Sequence, residues 1–119
     1  MRVTGREDRL EGAQPGGAEH FSGATLQRLL HEHPGVRVLM VSFEPGAHTN
    51  WHRHRGGQVL HVMEGECLVQ SWGEEVRRVA PGELVTVAAE EKHWHGAGPD
   101  QRTTHLAVSV GQVEWLEPV

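Results

Sequence analysis

Seven of the ten histidines of this chain lie within residues 48–105. Of these, His52 and His54 are two residues apart, so on a β-strand both imidazole rings would point to the same face. The dipeptide Gly56-Gly57 predicts a turn, after which Gln58 opens the next strand and can return to the same place. Imidazole nitrogens and an amide oxygen are ligands for divalent transition metals. This segment is therefore the first candidate for a metal site.

A second histidine pair with the same spacing, His93 and His95, lies far along the chain. Three imidazoles and one amide oxygen from two separated hairpins would make a first shell for a divalent ion. The spacing alone leaves open which histidine of this second pair is the ligand. It also leaves open the alternative that the histidine-rich edge is solvated, or that single histidines are hydrogen-bonded inside a core.

Two further histidines are candidates for proton transfer. His105 lies in the alternating run 103–110, and if its face of the strand lines the interior, it can act as a general base beside the metal. The alternative is that His105 faces solvent or bonds a neighbour. His95 has the same strand parity as His93 and is a candidate second catalytic residue, as a proton carrier or a support for the ligands.

The elements that must position these residues are short strands. With Gly 15 and Pro 6, the chain is rich in turn residues, and from residue 36 onward apolar, β-branched runs end at glycine or proline. This pattern predicts an all-β domain, either an antiparallel sandwich or a small barrel. The predicted strands are 36–43, 59–63, 67–72, 75–79, 84–87, 93–95, 103–110 and 113–116.

The N-terminal part of the chain is less regular. Residues 1–20 carry several glycines and charges without apolar periodicity, which predicts an N-terminal arm preceding a single domain over 21–119. Residues 24–33 fit either a short helix or a strand. Three histidines outside the cluster are predicted to have no special role: His20, His31 and His33.

Composition excludes several functional classes. Eleven basic against sixteen acidic side chains give a formal charge of −5, which argues against nucleic acid and anionic membranes as partners. Cys67 is the single cysteine, so no internal disulfide can form and a reducing compartment is expected. Neither a membrane-length apolar run nor a signal-peptide core is apparent, and we predict a cytoplasmic protein.

The histidine spacing resembles the first motif of the cupin superfamily, Gly-x5-His-x-His-x3,4-Glu-x6-Gly. The residues that match this motif without an insertion are Gly46, His52, His54 and Gly65. Gln58 stands where the motif has its glutamate. An amide oxygen can still bind a metal, so metal binding survives this departure.

The second cupin motif, Gly-x5-Pro-x-Gly-x2-His-x3-Asn, is matched less completely. Gly82 and His93 fit it. Its proline, glycine and asparagine positions are occupied by Ala88, Glu90 and Ala97. The loop before His93 is therefore expected to differ in shape from that of other cupins.

A narrower resemblance, strongest over residues 44–107, is to the small bacterial cupins that include manganese-dependent hydroxynitrile lyases and cupins related to carboxymuconolactone decarboxylase proteins. In that group three histidines and a glutamine bind the metal. Carried over by position, the ligands are His52, His54, Gln58 and His93. The histidine that acts as base in those lyases corresponds to His105.

The resemblance implies a single-domain cupin, an antiparallel jelly-roll β-barrel that pairs as a homodimer. It also implies one divalent metal ion per chain, with Mn or Fe favoured and Zn, Ni or Co able to bind as well. The four ligands are neutral and leave the charge of the ion uncompensated. Such an ion favours an anionic ligand or a hydroxide made from bound water.

Three functions are compatible with this site, each with a small-molecule substrate or ligand. The first is a lyase with hydroxynitrile-lyase-like chemistry, in which the metal binds the substrate hydroxyl and a histidine removes its proton. The second is an Fe- or Mn-dependent dioxygenase. The third is a non-catalytic cupin that binds a small molecule, because one fold hosts many functions.

Overall fold

The computed structural model describes all residues, Met1–Val119. Apart from a single 3₁₀ turn at Arg6–Asp8, its regular structure consists of β-strands. The strands are β1 Gln14–Pro15, β2 Phe21–Ser22, β3 Thr25–His33, β4 Val36–Phe43, β5 His48–Thr49, β6 His52–His54, β7 Gln58–Glu64, β8 Cys67–Ser71, β9 Arg77–Val79, β10 Leu84–Val87, β11 His93–Ala97, β12 Thr103–Val110 and β13 Val113–Trp115. No helix is long and apolar enough to cross a membrane.

The strands form two antiparallel sheets. The first has the order β1-β3-β4-β12-β7-β10. In the second, β11 is central: it pairs with β8 on one side and with β5 and β6 on the other, and β9, β2 and β13 extend the sheet outward. This arrangement confirms the predicted fold class, a single-domain all-β jelly-roll.

The two longest predicted strands, 36–43 and 103–110, appear with the predicted bounds as β4 and β12, which pair over their whole length. Residues 24–33, for which a helix and a strand were both open, form strand β3 against β4. Leu26 and Leu29 are each 43% exposed, so their helix-like spacing does not mark a core face. A helix of about ten residues would be marginal alone, whereas pairing with β4 satisfies the backbone.

Within residues 1–20, predicted as an arm, the part up to β1 contacts the first sheet, and Glu19 and His20 contact the second. Strand β1 pairs with the edge of β3, with Gln14 opposite Gln27. Arg9 forms an ion pair with Glu64 at the end of β7. Backbone hydrogen bonds and an ion pair therefore hold this segment against the domain.

The core between the sheets is divided. One apolar cluster contains Val41, Phe43, Ala47 and Ala97, and a second contains Val62, Cys67 and Val79. The interior also holds five buried imidazoles, those of His52, His54, His93, His95 and His105. Buried polar rings must be satisfied by partners, so this part of the interior is the place to look for a site.

Two glycines with a positive φ, Gly65 in the tight turn between β7 and β8 and Gly73 after β8, allow a matched test of that turn. Gly65 has a φ of +65°, and a Cβ there would stand 1.8 Å from the Arg102 carbonyl oxygen. Gly73 has a φ of +85° but open space around it. We expect Gly73→Ala to cost about 1 kcal/mol of unfolding free energy from backbone strain alone. We expect Gly65→Ala to cost more than about 3 kcal/mol, because the backbone must also move.

Denaturant unfolding of the two variants beside the unmodified protein measures the difference. Equal losses of stability would contradict the close approach of Gly65 to Arg102.

Candidate metal centre

The histidines of the first and second motifs meet on neighbouring strands. Strands β6 and β11 pair with His52 opposite His93. Their ring centroids lie 4.3 Å apart, and that of His54 lies 5.1 Å from His52 and 5.8 Å from His93. All three rings are buried. Gln58, also buried, comes from β7 in the other sheet. The structure therefore brings the four predicted ligands together from both sheets.

Two of these histidines are oriented by backbone carbonyls. The Nδ1 of His52 lies 2.9 Å from the Asn50 carbonyl oxygen. The Nδ1 of His93 lies 2.8 Å from the Glu91 carbonyl oxygen. A carbonyl only accepts, so in each ring Nδ1 carries the proton and Nε2 keeps its lone pair. Metal-binding histidines are oriented by the same kind of second hydrogen bond.

The Gln58 side chain is also held in one orientation by a hydrogen bond. Its Nε2 donates to the Ser109 Oγ at 2.9 Å, which turns the Oε1 toward His93. This Oε1 lies 3.0 Å from the His93 Nε2. With the amide in this orientation both atoms present lone pairs, so the contact is repulsive without a cation or a proton between them. Burial lowers the pKa of His93 and disfavours the proton.

The same distance suits two ligands of one metal ion. Ligand atoms about 2.1 Å from an ion and at right angles to each other lie about 3.0 Å apart. The facing lone pairs of His93 and Gln58 therefore fit a divalent ion.

His54 completes this group in a different way. Neither of its ring nitrogens has a hydrogen-bond partner, although both are buried. Burial, and then the charge of His93, lower the pKa of His54 to about 4, so the ring is neutral at pH 7. A buried neutral imidazole without any partner costs free energy unless a ligand engages it. His54 is thus available to a metal ion.

His95 and His105 form a buried pair beside these residues. The His105 Nε2 lies 2.9 Å from the His95 Nδ1, and the His95 Nε2 has no partner. Burial lowers the pKa of His105 to about 4, and burial followed by the neighbouring histidines lowers that of His95 well below 6.5. Both rings are neutral at pH 7.

The three histidines whose potential ligand atoms lie closest together are not the three that were predicted as ligands. Potential ligand atoms of His52, His93 and His95 all lie within 4.8 Å of one another, and such a cluster could hold a metal ion. It contains His95, which was predicted to be catalytic, and not His54. A metal site at this place is supported by the geometry, and the exact ligands stay a prediction.

A cavity of about 890 Å³ leads to this centre. His52, His54, Gln58 and His95 line it, whereas His93 and His105 do not. The apolar side chains that line it include Phe21, Leu39, Val41, Ala107 and Trp115. Of the basic side chains only Arg37 lines the cavity, and it is half-exposed and 3.2 Å from Glu32. The cavity therefore combines histidines with apolar and polar side chains, including the carboxylates of Glu19 and Glu32, and it has no free Lys or Arg.

Several residues around the site were not singled out from the sequence. Asn50 and Glu91 act through their backbone carbonyls, for which side-chain identity is no signal. Each nevertheless stands two residues before a predicted ligand, and this repeated spacing could have pointed to them. The contacts of Ser109 with Gln58 and of Trp115 with His52 join distant parts of the chain.

The comparisons with known proteins agree with the fold and with the motif spacing. Residues 39–110 match the Cupin domain family, and the chain belongs to this family. It is 39% identical over 111 residues to an (R)-mandelonitrile lyase of Granulicella tundricola, covering 87% of this chain and 85% of that protein.

The solved structures to which it is similar include cupin proteins. A cupin-like protein of Thermotoga maritima superposes with a TM-score of 0.85 at 35% identity, covering 88% of this chain and 85% of the other. A putative acetylacetone dioxygenase of Methylibium petroleiphilum gives a TM-score of 0.77 at 15% identity, covering 100% and 86% of the two chains. The second likeness supports the fold alone.

The buried neutral imidazoles predict acid sensitivity of the metal-free protein. An unfolded histidine binds a proton below about pH 6.5, whereas the folded His105 does so only near pH 4. The unfolded state therefore binds more protons in this window, and stability falls as the pH falls from about 6.5 to 4. For His105 alone the full effect is about 3 kcal/mol. Denaturation midpoints at pH 7.5, 6 and 5 measure it; a flat profile would contradict neutral burial.

Measurements of metal retention distinguish whether His54 or His95 is the third histidine ligand beside His52 and His93. With His54 as ligand, His54→Ala releases bound metal at least about tenfold faster, whereas His95→Ala retains it. His61→Ala is the matched control, because His61 lies on β7 outside the cluster. Metal content after dialysis and release to a chelator are the measurements. The reverse result would replace His54 by His95 in the ligand set.

Proposed function

We propose that this cupin is a metal-dependent lyase that cleaves a hydroxynitrile into a carbonyl compound and hydrogen cyanide. The observation that carries the proposal is the facing of the His93 Nε2 and the Gln58 Oε1 at 3.0 Å, beside the unpartnered Nε2 of His95. This arrangement supplies a place for a cation next to a proton acceptor. The similarity to a mandelonitrile lyase directs the choice of reaction within the many that cupins host.

The residues proposed to hold the metal are His52, His54, Gln58 and His93. When bound, a divalent ion, with manganese or iron favoured, would supply Lewis-acid polarisation of the substrate hydroxyl oxygen. The lowered pKa values of the three histidines keep their rings neutral and ready to ligate at pH 7. The amide of Gln58 likewise carries no charge, so this ligand set leaves the hydroxyl oxygen strongly polarised.

We assign the proton transfer to the Nε2 of His95, because His95 lines the cavity and this nitrogen has no other partner. His105 does not line the cavity, and its Nε2 lies 2.9 Å from the His95 Nδ1. We assign the shared proton to the His95 Nδ1, so that the His105 Nε2 accepts it. That bond fixes the tautomer that leaves the His95 Nε2 free to accept a proton. His105, the base by resemblance, therefore acts through His95 as a positioning residue.

The reaction balances with these groups. The His95 Nε2 takes the hydroxyl proton, the oxygen electrons form the carbonyl double bond, and the carbon–carbon bond to the nitrile breaks. The electron pair of that bond leaves with cyanide, and His95 returns its proton to give hydrogen cyanide. No oxidant is required.

The cavity favours uncharged substrates. Its walls are apolar around the histidines, and Arg37 is engaged by Glu32. Away from the proposed metal ion, a carboxylate or phosphate on the substrate would be desolvated without a free Lys or Arg partner, which is unfavourable. We therefore propose a neutral hydroxy compound whose apolar substituent packs against these walls.

The proposal is tested by release of cyanide from aryl and alkyl cyanohydrins by the manganese- or iron-loaded protein, with and without dioxygen. Equal rates in both conditions are expected, because no step uses oxygen. Turnover only in air would instead indicate the dioxygenase alternative. Saturable binding without turnover would indicate a binding protein.

Variants of the histidine pair separate the two roles. We expect His95→Ala to lower kcat by about 10²- to 10⁴-fold, a typical loss for a removed general base. His105→Ala should lose less, and His105→Gln should recover part of that loss, because its amide oxygen can accept from the His95 Nδ1. Steady-state kinetics at matched metal content are the measurement. Full activity in His95→Ala would refute its assignment.

A further inference from the structure

Trp115 connects a metal ligand to the N-terminal segment. In the pairing of β13 with β6, Trp115 stands opposite His52, and the two ring centroids lie 4.7 Å apart. The same indole stacks on the ring of His20 at 4.4 Å and an interplanar angle of 9°. His20 was predicted to have no special role. Its ring instead packs on the side chain that contacts His52.

Asn50 makes the same connection through hydrogen bonds. Its side-chain Nδ2 donates to the Glu19 carbonyl oxygen at 2.9 Å, and its backbone N–H donates to the His20 carbonyl oxygen at 2.8 Å. Its own carbonyl oxygen accepts from the Nδ1 of His52. One buried residue thus fixes both the N-terminal segment and the ligand ring.

The segment also forms part of the cavity wall. Gly17, Glu19, His20 and Phe21 line the cavity, as does Trp115. Phe21 belongs to β2, which pairs with β5 only three residues before β6 begins. Displacement of residues 17–21 would therefore open the wall and remove the support behind Trp115.

We propose that residues 17–21 are a working part of the metal centre, with His20 and Asn50 as positioning residues that hold the His52 ring in its ligating orientation. The inference rests on the metal site of the proposed function. Because coupling between two binding events is reciprocal, docking of this segment strengthens metal binding, and metal binding must strengthen docking to the same extent.

The first test compares rates of Mn²⁺ release to a chelator. His20→Ala removes the ring that backs Trp115, and we expect release to be about tenfold faster, as for other supports of metal ligands. His20→Phe keeps a flat ring and should stay within about twofold of the unmodified protein. The control is His33→Ala, since His33 also lines the cavity but packs on His31 instead. Equal rates for His20→Ala and the control would overturn the proposal.

The second test measures the reciprocal effect without any turnover. The amide of Asn50 is bonded to the His20 carbonyl and that of Phe21 to the Gly17 carbonyl, so both report whether the segment is docked. We expect Mn²⁺ to slow hydrogen exchange at these amides, and the slowing to be lost in Asn50→Ala, which cannot hold Glu19. Exchange unaffected by bound Mn²⁺ would overturn the proposal.

The two tests also separate this inference from the proposed function. Metal binding with the expected coupling but no cyanide release would overturn the lyase assignment alone. Metal binding without coupling would overturn this inference alone. Failure of the unmodified protein to bind any metal would overturn both.

Discussion

The arrangement of this interior depends on the cost of burying imidazoles between two β-sheets. Five histidine rings occupy space that apolar side chains would fill in an ordinary jelly-roll, and the apolar clusters beside them are small. Nitrogens of His54, His95 and His105 have no partner there. Unpartnered buried polar atoms cost stability, and a cation bound by His54 would offset part of this cost. This cost connects the stability of the protein to its chemistry.

The orientation of the rings comes from the backbone as much as from side chains. Carbonyl oxygens of Asn50 and Glu91 hold the rings of the predicted ligands His52 and His93, which stand opposite each other on β6 and β11. The Glu91 loop is itself braced, since its carboxylate accepts hydrogen bonds from the Ala88 N–H and the Ser71 hydroxyl. These bonds hold the Glu91 loop in place beside His93, although the second cupin motif is incomplete here.

Access to the cavity separates the two catalytic candidates, His95 and His105. Both His95 and His105 are buried and neutral, but only His95 faces the cavity. The contact between them makes the tautomer of the outer ring, His95, dependent on the inner ring, His105. Strand parity placed His95 on the same face as His93 and left the direction of the His105 face open, and parity cannot rank two inward residues by depth. That ranking depends on which strand lies nearer to the mouth of the cavity.

Much of this protein follows from sequence alone. Alternation and turn residues predicted β4 and β12 with their bounds, because local patterning decides strands that pair along their full length. The i, i+2 spacing and the Gly56-Gly57 turn predicted His52, His54 and Gln58 as ligands, and the cupin resemblance chose His93 from the second histidine pair. Residues 24–33 stayed ambiguous, since their pattern fits two structures and only the pairing partner decides. Tertiary structure alone decided the facing of the His93 and Gln58 lone pairs, the depth of His105, and the contact of Trp115 with His20. Each of these features depends on residues that are distant along the chain, so no local sequence pattern can predict it.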